Sequence, residues 1–374
     1  MQTDFVELPL TGLEEPLSEV ELAVQDNAHR FAAEVMRPLA ATLDRMTPEE
    51  VIAPESPLWQ VLQKAEGLGL SVLQMAELPP LERARLFAIA TEELAWGDGG
   101  LAGALLVNHF PVMYSLLAGN LEMARYCEGK LGCWAITEPD HGSDLIYFGG
   151  DVSEMPGRPN CMAVRAGDHF VITGQKAAWV SNGTIATAGA LFCGVDKGDG
   201  QVQGLAAFLV PLDLDGVRRG KPLDKMGQRA LNQGEIFFDE VRVPASYMVV
   251  PPEMSAISQD MVLATANGGM GTTFVGLGQA ALDLAVTYAK EREQGGGPII
   301  RHQSVKARLF EMYRKVEAAR ALNRRCIYIN SMSMPPRPEL AVASKVTSTQ
   351  SAFEVASEAL QIFGGNGLSR EYPI

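Results

Sequence analysis

The sequence predicts an α+β chain in three parts: an all-α N-terminal domain over residues 1–129, a small central antiparallel β-barrel or sandwich over residues 130–250, and a C-terminal helical bundle over residues 251–374. Three observations carry this. Apolar residues recur at helical spacing from Leu17 to about Gly129. Short β-rich runs broken by Gly, Pro and Asp then occupy the stretch from about Lys130 to Pro244. After Ser258 the helical spacing returns.

In the first part Leu22, Asp26, Arg30 and Phe31 open the helical pattern, and Leu58, Val61, Leu62 and Ala65 keep the i, i+3, i+4 spacing. The uncharged residues 99–120 are long enough to raise the membrane question. Asn108, His109 and Pro111 fall at their centre and no basic flank adjoins them, so a buried helix pair is predicted and the chain is not membrane-spanning. Residues 169–173, 206–210 and 235–239 read as strands. In the last part Val305, Leu309, Met312, Val316 and Ala319 trace one helix face, and residues 340–363 trace another.

Lys and Arg number 31 against 45 Asp and Glu, a net charge of −14. A phosphate backbone would be repelled, so nucleic acid is excluded as a partner class, and bound phosphates need a local pocket. The five cysteines (Cys127, Cys133, Cys161, Cys193, Cys326) show neither CxxC pairing nor metal-ligand spacing. They read as reduced thiols of a cytoplasmic protein without a metal site. Residues 1–22 carry acidic side chains and lack the apolar core of a signal peptide.

Three motifs carry chemistry: Trp134-Ala-Ile-Thr-Glu-Pro-Asp-His-Gly-Ser-Asp144, Gly174-Gln-Lys-Ala-Ala-Trp-Val-Ser-Asn-Gly183, and Gln361-Ile-Phe-Gly-Gly-Asn-Gly367 followed by Glu371-Tyr-Pro373. Trp134 and Trp179 offer flat apolar walls, or simply core. Thr137, Ser143 and Ser181 are short hydroxyls able to reach ring atoms or phosphate oxygens. Gly142, Gly364 and Gly365 let backbone N–H groups approach an anion, although the glycine pair equally ends a helix. Arg292 offers a charge-assisted bond to a pyrophosphate, or a solvated cation at a helix end. His141 is either a proton donor or a structural loop residue, while Asp144 and Glu138 brace the loop.

In this order the motifs resemble those of the acyl-CoA dehydrogenase family, with weaker links at Met226-Gly-Gln-Arg229, Val241-Arg-Val-Pro244, Arg292 and His302-Gln303. The resemblance covers nearly the whole chain. It implies FAD bound by Trp134, Ile136, Thr137, Gly142, Ser143, Trp179 and Ser181 of one subunit. Arg292, Gln294, His302, Gln303, Gln361, Gly364 and Gly365 are implied to reach the FAD of a neighbouring subunit, hence a homodimer or homotetramer. It further implies an acyl-CoA substrate, touched by Ser143, and electrons leaving to an electron-transfer flavoprotein.

The general base is the missing part. The resemblance implies a Glu about two dozen residues beyond the glycine pair, and this sequence stops at Ile374. A minority of relatives carry the base on the helix that here includes residues 261–271, where this chain has Ala266 and Asn267. Asp260 is the nearest carboxylate, more than one helical turn away. Gly295 stands where the family has an aromatic, which implies a looser flavin edge. Residues 145–163 form a longer loop than usual, either a surface excursion or a cover for the acyl pocket.

Overall fold

The computed structural model describes residues 16–145 and 157–374. Helices come first: α1 (Glu19–Phe31), α2 (Arg37–Leu43), α3 (Pro48–Ile52), α4 (Pro57–Ala65), α5 (Val72–Ala76), α6 (Pro80–Gly97), α7 (Gly99–Asn108), α8 (Phe110–Leu117) and α9 (Leu121–Cys127). Their starts are locally coded. Ser18 and Thr47 form capping boxes with Glu21 and Glu50, and Asp98 accepts from the Leu101 amide at 2.7 Å to begin α7. Met36, Leu43, Leu58, Val61 and Ala95 are fully buried where these helices meet. The stretch Gly99–Leu117 is apolar and long enough to cross a membrane. It divides at His109 into α7 and α8, and 67% of it is buried.

Among the described residues eight strands follow: β1 (Gly132–Ala135), β2 (Met162–Ala166), β3 (His169–Lys176), β4 (Ala188–Asp196), β5 (Val202–Pro211), β6 (Val217–Pro222), β7 (Gly234–Pro244) and β8 (Met248–Val250). They form one sheet of order β6-β7-β3-β2-β4-β5-β8, with β1 beside β4. This corrects the sequence reading twice. The sheet is open, with β6 and β8 at its ends, so it is not a barrel. Nor is it wholly antiparallel, because β1 and β2 both run parallel to β4. The cause lies in β4, which is buried at every position and so lacks the alternation that marks a half-exposed antiparallel strand. β1 and β2 lie head to tail along one edge of β4. Ala135 sits opposite Leu191, Met162 opposite Gly194, and the Gly194 amide donates to Cys161 O at 3.0 Å.

The last three helices are α10 (Ser255–Glu291), α11 (Gln303–Met332) and α12 (Pro338–Phe363), packed around Ala285, Met312, Val316, Val355 and Ala359. Gly276 brings α10 against α6. A Cβ there would stand 2.2 Å from Glu92 O, so only glycine permits this crossing. Glu92 accepts from Arg320 Nε at 2.8 Å and Arg324 Nη2 at 2.7 Å, and Arg320 Nη2 donates to Gln279 Oε1 at 2.7 Å. This network ties α6, α10 and α11 together with charge-assisted bonds.

Candidate active site

The chain leaves β1 through Ile136 and Thr137. Ile136 O accepts from Lys176 Nζ at 2.9 Å and Thr137 O from the Ala177 amide at 2.9 Å. The exit of β1 is thereby held against the end of β3, beside the segment that carries Trp179 and Ser181. Lys176 also pairs with Glu138 at 2.7 Å, both side chains buried. Glu138 accepts further from the amides of Asn160 at 2.5 Å and Cys161 at 3.2 Å. Its carboxylate is used up in holding the loop, as the sequence reading had it.

Beyond it, His141 Nδ1 meets Asp144 Oδ2 at 2.7 Å and Nε2 meets Arg158 O at 3.2 Å. Asp144 raises the proton affinity of His141, and the same bond holds the Asp144 carboxyl below its usual range. Both ring nitrogens are engaged, so His141 is a clamp across the loop. Asp144 Oδ1 takes the Gly142 amide at 2.6 Å, and Ser143 is exposed between them. The loop of residues 145–163 lies in large part outside the described residues.

The two tryptophans differ. Trp134 stacks on Phe110 with centroids 4.7 Å apart and planes 3° from parallel, so α8 occupies one face. Its Nε1 is buried without a hydrogen-bond partner. Trp179 is 60% exposed, an open wall. Gln233 steadies it: Nε2 donates to Trp179 O at 3.2 Å and to Ser181 Oγ at 3.0 Å, while Oε1 accepts from Lys225 Nζ at 3.0 Å. Burial brings the Lys225 ammonium down to about 8.

The second set gathers at one end of the bundle, where α10 and α12 finish and α11 begins. Tyr288 stacks on Phe363 at 4.1 Å, and its hydroxyl accepts from Asn366 Nδ2 at 2.9 Å. Arg292, Gln294, His302, Gln303, Gln361, Gly364 and Gly365 are all exposed there. Gly295, at φ +63°, closes a turn over His302: an added Cβ would stand 3.0 Å from the ring, and His302 Nε2 meets Gln294 O at 3.0 Å. A side chain at this position would be strained by the positive φ and would press on the His302 ring. Gly364, at φ +60°, ends α12, and a Cβ at Gly364 or Gly365 would meet nothing within 4 Å. Helix termination and an open backbone are the same geometry here.

At the α10 position where a minority of the family carries its base, this chain has Ala266. Ala266 packs against the apolar cluster that holds Phe110, Ile136 and Val262, with Trp134 and Val107 beside it. The position adjoins the site, but a methyl takes no proton. Asn267 turns back on its helix, donating to Leu263 O at 2.8 Å. Asp260 has its carboxyl raised by burial and then by Glu339. Sequence reasoning missed Lys176, Lys225 and Gln233. The signal available for Lys176 was the one Lys or Arg of its strand, placed at the strand's end.

A flavin nucleotide fits these residues. Trp179 presents an open ring face, and the backbone is unobstructed at Gly142, where the nearest atom to an added Cβ is 4.0 Å away, and at the glycine pair.

Residues 133–241 match the family model for the acyl-CoA dehydrogenase middle domain, and residues 261–374 that for the acyl-CoA dehydrogenase C-terminal domain. The mitochondrial short-chain specific acyl-CoA dehydrogenase of Rattus norvegicus is 30% identical over 368 residues, 96% of this chain and 84% of that protein. Benzylmalonyl-CoA dehydrogenase of Aromatoleum aromaticum is 30% identical over 369 residues, 96% of this chain and 91% of that one. The structure of butyryl-CoA dehydrogenase from Megasphaera elsdenii superposes with a TM-score of 0.79 at 26% identity, covering 96% and 92% of the two chains. Ordered motifs, helix–sheet–helix architecture and these matches converge: the chain belongs to the acyl-CoA dehydrogenase family, FAD-dependent enzymes that dehydrogenate acyl-CoA thioesters.

Proposed function

We propose that this protein binds FAD non-covalently and uses it to desaturate an acyl-CoA thioester between the α and β carbons, with electrons passed on to an electron-transfer flavoprotein. The observation that carries this is the Trp179–Gln233–Ser181 arrangement beside the Thr137 turn. It sets an exposed indole and a hydroxyl side by side at the motif where family members hold their flavin. When bound, FAD supplies the two-electron oxidant. The protein supplies position. The clamped residues 138–144 present Ser143 and the Gly142 backbone, and the apolar cluster around Ile136 and Ala266 keeps water from the acyl chain. Arg292 and the glycine pair offer charge and open amides to the pyrophosphate of a second copy. The exposed apolar side chains Val342, Val346 and Phe353 on α12, with Phe310 and Tyr313 on α11, support a homo-oligomer. The relatives named above act on CoA esters by name, which supports that substrate class.

Purified protein should be yellow, release FAD on denaturation, and bleach anaerobically with a suitable acyl-CoA. A colourless protein that takes up no FAD rules the assignment out. If it holds FAD but no acyl-CoA bleaches it, a binding subunit without catalysis becomes the better reading. Expressed as residues 1–374, the Ala266→Glu variant should bleach about 10²–10⁴-fold faster than the unsubstituted segment by placing a general base on α10. No gain would mean the acyl chain does not lie against α10.

A further inference from the structure

We propose that Lys225 and Gln233 are positioning residues that fix the Ser181 hydroxyl as a hydrogen-bond donor toward an acceptor on the edge of a bound flavin ring. This rests on the FAD reading above. The argument follows from donor and acceptor capacity. A lysine side chain offers N–H groups, and Lys225 Nζ donates to Leu231 O at 2.5 Å and to Gln233 Oε1 at 3.0 Å. The amide oxygen of Gln233 must therefore face Lys225. Its Nε2 then faces the other way, and its two hydrogens go to Trp179 O at 3.2 Å and Ser181 Oγ at 3.0 Å. A backbone carbonyl can only accept, so the contact to Trp179 O agrees with this amide orientation.

The consequence falls on Ser181. Its oxygen already receives a hydrogen, so its own O–H is left to donate, and the described residues provide it no acceptor. The backbone holds the pair in place: Ser181 and Gln233 form an antiparallel bridge, Gln233 O accepts from the Leu223 amide at 2.8 Å, and Val180 O accepts from the Gly234 amide at 3.3 Å. The half-buried hydroxyl stands next to the exposed Trp179 indole. The edge of an isoalloxazine carries ring nitrogens and carbonyl oxygens that accept such a bond. A brace with a purely structural role would be indifferent to which partner donates.

The test uses the full chain with FAD, reading dissociation constant and visible flavin absorption for Lys225→Met, Gln233→Glu, Ser181→Ala and the two doubles with Ser181→Ala. Gln233→Glu is nearly isosteric but has no N–H, so the Ser181 hydroxyl turns toward it. Lys225→Met and Gln233→Glu should each weaken FAD binding about three- to tenfold, the worth of one hydrogen bond, and shift the flavin band. Neither should have a further effect in the Ser181→Ala background. Additive losses, or an unshifted band in both single variants, overturn the inference. If Lys225→Met does not fold, Gln233→Glu decides alone. A wild-type protein that takes up no FAD overturns the FAD reading and this inference together, an outcome distinct from additivity.

Discussion

Lys176, the last residue of β3, meets Glu138 where neither charge sees water. Removing one partner strands the other, so Lys176→Met should cost about 3–5 kcal/mol in denaturant unfolding. Lys176→Met combined with Glu138→Leu should cost less than the two single losses added, because no unpaired charge remains. Simple addition would show that the two charges are not coupled. Such pairs mark the limit of what single residues disclose. Trp179, Ser181, Arg292 and the glycine pair were legible because each stands in a short motif with its own chemistry. Lys176 lies 38 residues from Glu138, and Gln233 lies 52 from Ser181. Their roles depend on which strand ends meet, and no local pattern encodes that.

Between elements, the crossings of α6 are the most sensitive points. Gly276→Ala drives a methyl toward the Glu92 carbonyl of α6, an overpacking that should cost about 1–3 kcal/mol and appear as a lower melting temperature. An unchanged melting temperature would mean that the helices separate freely. The α1–α6 contact has a pH signature. Arg85 holds the buried Glu21 carboxyl down at about 2, against an ordinary 4.5. The folded state thus binds this proton less readily than the unfolded chain. The stabilisation is complete above pH 4.5 and is lost as pH falls toward 2. Glu21→Gln should therefore cost at most about 3 kcal/mol at neutral pH, with the gap to wild type closing across that acid window. A gap that stays constant through the window would refute the linkage. Most helices were legible from periodicity because they show one face to solvent, whereas α7 has no exposed residue. The sheet was read only in part: β3, β5 and β7 showed themselves, whereas β4, buried at every position, offered no alternation, and β1 and β2 join it in parallel, with no hairpin between either of them and β4.

In the molecule as a whole, the two candidate sets occupy the sheet and the far end of the bundle, and the exposed stripe on α12 offers a surface for a second copy. Phe353→Asp, at 75% exposed, should reduce the sedimenting mass and weaken FAD retention together. Loss of mass with FAD fully retained would detach the site from assembly. The head-to-tail placement of β1 and β2 on one edge of β4 has a different reach. The chain leaves the sheet after Ala135 and rejoins it at Met162, facing positions on β4 only from Leu191 to Gly194. The segment that joins Ala135 to Met162 thus starts and ends at neighbouring points of a single strand. Lengthening it leaves the register of every strand unchanged, and doubling such a loop adds only about 0.6 kcal/mol of closure entropy. Related chains are therefore free to differ in the length of this segment while the sheet stays as it is, at little cost to the stability of the fold.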